Sequence, residues 1–301
     1  MNIKTLLCVQ STWSGNTTNG DTKPVNRFQG NANAPLSGED NPLNFAVNSR
    51  DRATLDMVAS AITHKQTLLA YQPVMMASDP TRVGFYEALI RVMDETGRII
   101  PAKDFMDVIE DTELGRHIDA LSLNMGLRAL HENPALRLSI NMSARSIGYG
   151  RWMQNFKRWM AKDKTIAERL ILEITESSAM DMPDIVVRFM DDLQALGISF
   201  ALDDFGAGHT ALRYFKDFYF DVLKIDGQFI QGIADDADNQ ALTRAMIDIA
   251  RHFDMLTVAE FVETKADMDT LVALGVDCLQ GFLFSAPTTR PDWMQPEVQR
   301  A

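Results

Sequence analysis

The fold is decided by the stretch Ile198-Ser199-Phe200-Ala201-Leu202-Asp203-Asp204-Phe205-Gly206. Its first half is almost continuously apolar, which is typical of a parallel strand buried on both faces. Two adjacent acids then interrupt the pattern, and glycines at 206 and 208 permit a turn. Neighbouring side chains point to opposite faces of a regular strand, so we expect the strand to end at Asp203 if both carboxylates face one site.

Similar apolar runs recur on both sides of this stretch and give eight predicted strands, at 68–76, 83–92, 136–142, 170–175, 198–203, 222–226, 256–260 and 278–284. Helical patterns lie between most of them, at 104–132, 183–196, 239–252 and 264–274. This alternation predicts an α/β protein with a TIM-like (β/α)8 barrel. Little sequence separates the first two strands, so we expect an antiparallel first strand. The alternative, an open doubly wound sheet, lacks a glycine-rich phosphate loop after its first strand.

Composition limits the possible ligands and the compartment. The chain of 301 residues has a formal net charge of -12 and a pI near 4.9, which argues against general nucleic-acid binding. Its two cysteines are too few for a disulfide scaffold and favour a reducing compartment. The sequence has no signal-peptide pattern and no bilayer-length apolar stretch, so we expect a cytoplasmic protein without membrane insertion.

A change in composition predicts the domain organisation. Residues 1–48 are assigned to a flexible polar tail, because the part from Gln10 to Asn48 has few aliphatic residues and cannot offset the entropy of ordering. Apolar residues recur at helical spacing from Arg50 to Gln66 and predict an entry helix. Residues 49–301 are expected to form the barrel.

Polar side chains occur late in six of the predicted strands, where a buried parallel strand should be apolar. The carboxyl ends of barrel strands form one mouth, at which groups from different strands converge. We therefore expect one site to contain Glu87, Asn141, Glu173, Asp203, Asp204, Lys224, Asp226 and Glu260.

Five of these carboxylates in one cavity would repel one another strongly unless cations compensate them. Two divalent ions together with Lys224 would balance the five charges of Glu87, Glu173, Asp203, Asp204 and Glu260. Oxygen ligands without cysteines or a histidine cluster favour Mg²⁺ or Mn²⁺. A metal pair about 4 Å apart is suited to phosphodiester hydrolysis.

Arg91 lies on the same strand face as Glu87, roughly 13 Å farther along at about 3.3 Å per residue. A planar guanidinium can bind a phosphate through two hydrogen bonds. We therefore assign Arg91 to substrate binding.

The order of short motifs resembles the EAL-domain cyclic di-GMP phosphodiesterase family over residues 55–287. The matching motifs are Tyr71-Gln72-Pro73, Glu87-Ala88-Leu89-Ile90-Arg91, Asn141-Met142-Ser143-Ala144-Arg145, Glu173-Ile174-Thr175-Glu176-Ser177, Asp203-Asp204-Phe205-Gly206, Lys224-Ile225-Asp226, Glu260-Phe261-Val262-Glu263-Thr264 and Gln280-Gly281-Phe282. Eight motifs in order are far more specific than the Glu-Ala-Leu triplet alone.

The resemblance implies hydrolysis of cyclic di-GMP to linear pGpG with Mg²⁺ or Mn²⁺, two ions per site, in a homodimer. It implies that Lys224 and Glu260 orient or deprotonate the attacking water. The metal ligands it implies are Glu87, Asn141, Glu173, Asp203, Asp204 and Glu260. It assigns substrate binding to Gln72, Arg91, Asp226, Glu263 and Gln280, and anchoring of the loop after Asp204 to Glu176.

Departures from the family pattern cluster near this loop and beside Glu260. Ala207 and His209 replace the usual Thr and Tyr, Tyr219 replaces a common Pro, and Phe261 replaces a Gly. We expect the bulk of Phe261 to misplace Glu260 and slow turnover, because a shift of about 1 Å can cost on the order of a hundredfold in rate. Two alternatives to an active enzyme remain, a cyclic di-GMP receptor that signals through a regulatory protein partner and a protein-interaction scaffold.

Overall fold

The computed structural model describes residues 42–207 and 215–294. Within them, nine strands follow one another along the chain: β1 (Thr67–Met76), β2 (Asp79–Met93), β3 (Ile99–Pro101), β4 (Leu138–Asn141), β5 (Leu170–Thr175), β6 (Ser199–Phe205), β7 (Val222–Ile225), β8 (Leu256–Ala259) and β9 (Cys278–Leu279).

Helices surround these strands: α1 (Pro42–Thr63), α2 (Met106–Ile109), α3 (Glu113–Glu132), α4 (Gly150–Lys162), α5 (Glu176–Asp181), α6 (Pro183–Gln194), α7 (Gly227–Ile230), α8 (Ala237–His252) and α9 (Lys265–Leu274). Short 3₁₀ helices of three to six residues connect several of them. In the described part of the chain, no helix has the length and apolar character needed to span a membrane.

Eight strands close into a barrel in the order β1-β9-β8-β7-β6-β5-β4-β2, and the pairing of β2 with β1 completes the ring. Strand β1 is antiparallel to both of its neighbours, whereas the other barrel pairs are parallel. Strand β3 adds an antiparallel edge to β2. The predicted TIM-like barrel with an antiparallel first strand is confirmed.

Several predicted elements differ in extent from the observed ones. The helix predicted over 104–132 is divided before α3, because the side chain of Thr112 caps α3 by accepting a hydrogen bond from Leu114 N. The last predicted strand, 278–284, ends at Leu279, where the chain turns to bond with Val262. Strand β6 continues to Phe205 rather than ending at Asp203.

The predicted tail and the entry helix overlap. Helix α1 begins at Pro42, inside the segment 1–48, and ends at Thr63. Val58 and Ala61 of this helix are buried in the core. The compact unit that carries the barrel begins at Ala46. Residues 1–41 lie outside the described residues, so the division into a tail and a barrel stays a prediction.

An apolar layer fills the barrel below the mouth. It consists of Val74, Phe85, Ala201, Val222, Val258 and Cys278. Each lies two positions from a residue assigned to the site, and strand side chains repeat their direction every two residues. Lys224, for example, follows Val222 on the same face of β7. This layer therefore forms the floor on which the polar site rests.

Arg169 stabilises the carboxyl end of α3, where Pro134 has no N–H to donate to the carbonyl of Leu130. Its Nη1 donates to Leu130 O at 2.8 Å and to the carbonyls of Asn133 and Leu136 at 3.1 Å. The side chain is largely buried. The guanidinium thus satisfies the carbonyl of Leu130, which Pro134 leaves without its helical donor, and adds a second donor to the carbonyl of Asn133, which also accepts from Leu136 N at 3.0 Å.

We expect Arg169→Ala to lower the free energy of unfolding by about 2 kcal/mol, because it removes three hydrogen bonds and leaves the carbonyl of Leu130 without a donor. Urea denaturation at equilibrium measures the loss. The matched control is Arg128→Ala, which breaks an exposed ion pair with Glu132 and should cost under about 1 kcal/mol. Equal losses for the two variants would contradict the capping role of Arg169.

Candidate active site

The ammonium of Lys224 lies at the centre of the barrel mouth and is 1% exposed. Its Nζ lies 2.8 Å from Asp203 Oδ1, 2.8 Å from Glu260 Oε1, 2.9 Å from Glu173 Oε2 and 3.5 Å from Glu87 Oε2. These five side chains come from five different chain segments that only the closed barrel brings together. The structure therefore gathers four of the five predicted carboxylates around one cation.

Amide groups hold the carboxylate of Glu87 from two sides. Asn141 Nδ2 donates to Glu87 Oε1 at 2.8 Å, and Gln280 Nε2 donates to Glu87 Oε2 at 2.6 Å. Glu87 and Asn141, which were expected in one site, thus contact each other directly. Register accounts for the position of Asn141, which lies beside Glu173 in the pairing of β4 with β5.

Gln72 and Gln280 are linked in a buried chain of hydrogen bonds. Gln280 Nε2 lies 3.3 Å from Gln72 Oε1, and Gln72 Nε2 donates to Ser285 O at 3.1 Å. The antiparallel register places Gln72 opposite Glu87. Both amides therefore lie at the site, where they contact one another and where Gln280 also contacts Glu87.

Asp204 reaches the site through an irregularity in β6. Its φ of +54° is left-handed, and the register with β7 shifts between Leu202 and Phe205. Oxygens of Asp203, Asp204 and Glu260 lie within 4.8 Å of one another. The expectation that β6 ends at Asp203 is wrong, because a bulge in the strand turns the neighbouring carboxylates together instead.

Burial and like charge shift the acids of the site in different directions. Burial, with the nearby charge of Glu87, raises the pKa of Glu173 to about 8. Burial, with the charge of Asp203, raises the pKa of Asp204 to about 6. Burial also raises the pKa of Glu260 well above its usual value, although Lys224 opposes this. Without further cations, Glu173 and Glu260 therefore favour their protonated forms near neutral pH.

Glu87 and Lys224 have pKa values that favour their charged forms. Burial raises the pKa of Glu87, but Lys224 and the two amide donors outweigh it and bring the pKa below its usual value. Burial lowers the pKa of Lys224, but the surrounding carboxylates, Asp203 first, raise it well above its usual value. Lys224 is thus a permanent cation at this site.

The donor set fits divalent metal ions. Glu173 Oε1 is buried without a hydrogen-bond partner. Asp203 Oδ1 also has no hydrogen bond of acceptable angle. It lies 2.8 Å from Lys224 Nζ, so the two groups form an ion pair rather than a well-aligned hydrogen bond. Buried carboxylate oxygens with unused lone pairs are the ligands that Mg²⁺ and Mn²⁺ prefer.

Glu176 contacts the start of the segment that follows β6. Its Oε2 accepts a hydrogen bond from Gly206 N at 3.2 Å, and Gln228 Nε2 donates to Gly206 O at 3.1 Å. Gly206 has a φ of +95°, which glycine adopts readily. His209 lies outside the described residues, so the role of Glu176 as an anchor of the whole loop stays a prediction.

Three predicted substrate-binding residues lie apart from the ion pairs of Lys224. Arg91 is half-buried and donates through Nη1 to Ile90 O at 2.9 Å. Asp226 Oδ1 accepts from Gln228 N at 2.8 Å and caps α7. Glu263 is exposed. Arg91 lies within β2, two residues before its end, whereas Asp226 follows β7 and Glu263 follows β8.

The sequence analysis missed Asp119 and the cavity beside it. A cavity of about 410 Å³ is lined by Glu87, Asn141 and Asp204 on one side and by Asp119 and Lys103 on the other. Asp119 Oδ2 accepts from Ser143 N at 2.9 Å and from Ser146 Oγ at 2.6 Å. Burial raises the pKa of Asp119 to about 6. Asp119 is an acidic residue among the buried, mostly apolar residues of α3, and this break in the apolar pattern could have revealed it in the sequence.

Family similarity agrees with this geometry. Residues 55–287 match the EAL domain family. The chain belongs to the EAL domain family.

Several known proteins are similar to this chain in sequence. It is 31% identical over 240 residues to the cyclic di-GMP phosphodiesterase PdeF of Escherichia coli (strain K12), covering 78% of this chain and 32% of PdeF. It is 31% identical over 232 residues to the bifunctional diguanylate cyclase/cyclic di-GMP phosphodiesterase MucR of Pseudomonas aeruginosa, covering 75% and 34%. The chain thus spans about a third of the length of these relatives.

Solved structures of other proteins superpose well on this barrel. The PaMucR phosphodiesterase in its complex with c-di-GMP has a TM-score of 0.72 and 29% identity, covering 83% of this chain and 100% of that one. The EAL domain of FimX from Xanthomonas citri, in complex with c-diGMP, has a TM-score of 0.71 at 24% identity. The second similarity supports the fold alone.

Phe261, where the EAL pattern has a glycine, adopts a left-handed φ of +53°. This conformation costs an ordinary residue about 1–2 kcal/mol. Glu260 nevertheless keeps its 2.8 Å contact with Lys224 and its place beside Asp203 and Asp204. Glu260 therefore lies within the cluster although Phe261 follows it. Slow turnover stays a prediction.

We expect Lys224→Met to lower the unfolding temperature strongly in EDTA, because it leaves buried carboxylates without their cation. The loss should shrink from about pH 8 to about pH 5, since Glu173, Asp204 and Glu260 have raised pKa values and are neutralised as the pH falls.

Differential scanning fluorimetry with EDTA and then with MnCl₂ measures both effects, and we expect MnCl₂ to stabilise the variant more than the wild type. The control is Lys265→Met, which removes an exposed ion pair with Asp269. A Lys224→Met variant as stable in EDTA as the wild type would refute this electrostatic description.

Proposed function

We propose that this chain hydrolyses cyclic di-GMP to linear pGpG with Mg²⁺ or Mn²⁺. The observation that carries the proposal is the convergence of Glu87, Glu173, Asp203 and Glu260 on Lys224 at the barrel mouth. Membership of the EAL family and the names of the similar proteins support the substrate.

The proposed metal ligands are the oxygen donors of the cluster. Asp203, Asp204 and Glu260 form one group with mutually close oxygens. Glu173 adds a buried carboxylate oxygen without a hydrogen-bond partner. Two ions would be held by Glu87, Asn141, Glu173, Asp203, Asp204 and Glu260. When bound, divalent ions lower the pKa of a coordinated water and stabilise negative charge on phosphate oxygens.

The side chains of the protein would then position the reactants. Glu260, whose pKa is raised by burial, would accept the proton of the attacking water. Lys224 would direct its positive charge at the oxygens of the reacting phosphate. Arg91 would bind a phosphate oxygen pair, and Gln72, Asp226, Glu263 and Gln280 would contact the nucleotides.

A cyclic di-GMP receptor with slow turnover is the second candidate. Phe261 favours it, because a strained residue directly follows the proposed proton acceptor Glu260. The homodimer, a regulatory protein partner and a cytoplasmic location stay predictions of the sequence.

The decisive experiment incubates the purified chain with cyclic di-GMP and MnCl₂ and separates the nucleotides by chromatography. We expect a pGpG peak that grows with time and that EDTA abolishes. Binding without a product would favour the receptor, and neither binding nor product would refute both candidates.

We expect Glu87→Gln to reduce hydrolysis at least about 100-fold and to weaken Mn²⁺ binding, because it replaces a charged oxygen ligand with a neutral amide of the same shape. Isothermal titration with MnCl₂ and the pGpG assay measure the two effects. Asp191→Asn, on the exposed face of α6, is the matched control. Near-wild-type turnover of Glu87→Gln would remove Glu87 from the metal site.

We expect Arg91→Lys to raise KM for cyclic di-GMP about 10-fold with a smaller effect on kcat, since an ammonium cannot make the planar two-point contact with phosphate. Steady-state kinetics in MnCl₂ provide the measurement. An unchanged KM would argue against a phosphate contact by Arg91.

A further inference from the structure

A buried acid beside the mouth has no part in the proposed reaction. Asp119 lies on α3, outside the barrel strands, and is 6% exposed. It lines the same cavity of about 410 Å³ as Glu87 and Asn141. Burying a carboxylate costs free energy unless donors compensate it, so its hydrogen bonds show which part of the site it holds.

The hydrogen bonds of Asp119 go to the turn that follows β4, residues 143–146. Its Oδ2 accepts from Ser143 N at 2.9 Å and from Ser146 Oγ at 2.6 Å. Ser146 N in turn donates to Ser143 O at 2.9 Å, which closes the turn. One carboxylate oxygen of α3 thus binds the first and the last residue of the turn and fixes its orientation.

Other elements hold the neighbouring N–H groups of the same backbone. Ala144 N donates at 2.8 Å to Oγ of Ser178 on α5. Met142 N, just before the turn, donates at 2.9 Å to Glu173 O on β5. The turn is therefore held by the β5–α5 segment and by α3, and Asp119 provides the support from α3.

This turn sets the position of Asn141, which lies two residues before it begins and ends β4. The pairing of β4 with β2 stops at Ile140, whereas its pairing with β5 extends to Asn141. The sheet therefore holds Asn141 from one side only. Because the amide of Asn141 donates to Glu87 Oε1 at 2.8 Å, a displaced turn would move this amide away from Glu87.

The chemistry of the two donors indicates what Asp119 must supply. They are a backbone N–H and a hydroxyl, and neither needs a negative charge as its partner. An amide oxygen can accept the same two hydrogen bonds. The arrangement thus requires an acceptor at this position rather than a charge.

We propose that Asp119 is a positioning residue of the metal site, which acts through the turn 143–146 to hold Asn141 against Glu87. The inference rests on the proposed function, because Asn141 and Glu87 are proposed metal ligands. Groups that orient metal ligands change metal affinity or activity about 10- to 100-fold when they are lost. Asp119 acts through the backbone and not on the reacting atoms.

The test compares Asp119→Ala with Asp119→Asn, well below the unfolding temperature of each variant. Isothermal titration with MnCl₂ measures metal affinity, and the pGpG assay measures kcat and KM. We expect Asp119→Ala to weaken Mn²⁺ binding and to lower kcat by about 10-fold each, with KM within about 3-fold of the wild type. Asp119→Asn should stay within about 3-fold of the wild type in all three quantities, because its amide oxygen keeps both hydrogen bonds.

A double variant tests the route through Asn141. Adding Asp119→Ala to Asn141→Ala should weaken Mn²⁺ binding by less than about 2-fold further, because two changes on one route are not additive. Losses that multiply would show that Asp119 acts by another route and would overturn the proposal.

The matched control is Asp277→Ala, directly before β9 and opposite the mouth. Asp277 Oδ2 also accepts from a backbone N–H and a hydroxyl, those of Thr257, each at 2.8 Å. We expect this variant to lower the unfolding temperature and to leave Mn²⁺ affinity and kcat unchanged. An Asp119→Ala variant that behaves in the same way, or an Asp119→Asn variant as weak as Asp119→Ala, overturns the proposal.

Ser146→Ala keeps the test decisive if Asp119→Ala does not fold. It removes one of the two hydrogen bonds and should weaken Mn²⁺ binding about 3-fold, whereas wild-type affinity overturns the proposal. A wild type that binds Mn²⁺ but does not hydrolyse cyclic di-GMP overturns the proposed function alone, because the Mn²⁺ titrations still decide the role of Asp119. A wild type that does not bind Mn²⁺ overturns both.

Discussion

The buried negative charge at the barrel mouth is the constraint on which the site depends. Four carboxylates approach within 3.5 Å of one ammonium, and burial alone would force most of them to hold protons. The protein manages this charge in two ways. Lys224 supplies a cation at the centre, and amides of Asn141 and Gln280 donate to Glu87. The remaining charge and the unused oxygen of Glu173 are what a metal pair would satisfy.

Strand register delivers these groups to one level of the barrel. Each residue of the apolar layer lies two positions from a site residue. The inward face of each of these strands therefore provides both an apolar residue of the layer and a polar residue of the mouth. The antiparallel β1 contributes as well, because its register sets Gln72 opposite Glu87. Low dielectric below the site strengthens every charge interaction above it. The packing of the floor and the electrostatics of the mouth are therefore coupled.

Two of the four non-glycine residues with left-handed φ angles in the described part of the chain lie next to the carboxylates. Asp204 and Phe261 both have left-handed φ angles, and each directly follows an acid of the cluster, Asp203 and Glu260. The two positions do different things. The bulge at Asp204 turns a second carboxylate toward the first, whereas the turn at Phe261 sets a ring over Gly227. Strain at these positions is consistent with selection for the geometry of the site rather than for stability.

The sequence by itself determined the barrel, its antiparallel first strand and most members of the cluster. Apolar runs such as 198–202 must be buried, and acids at the ends of parallel strands must meet at one mouth. Only the tertiary structure decided which groups touch, because contacts between Gln280, Gln72 and Glu87 depend on register between segments about 200 residues apart. It also revealed the bulge at Asp204, the buried Asp119 and the ring of Phe261 on Gly227. Local sequence carries no measure of φ angles or of distances across a closed barrel, so these features could not be predicted from it.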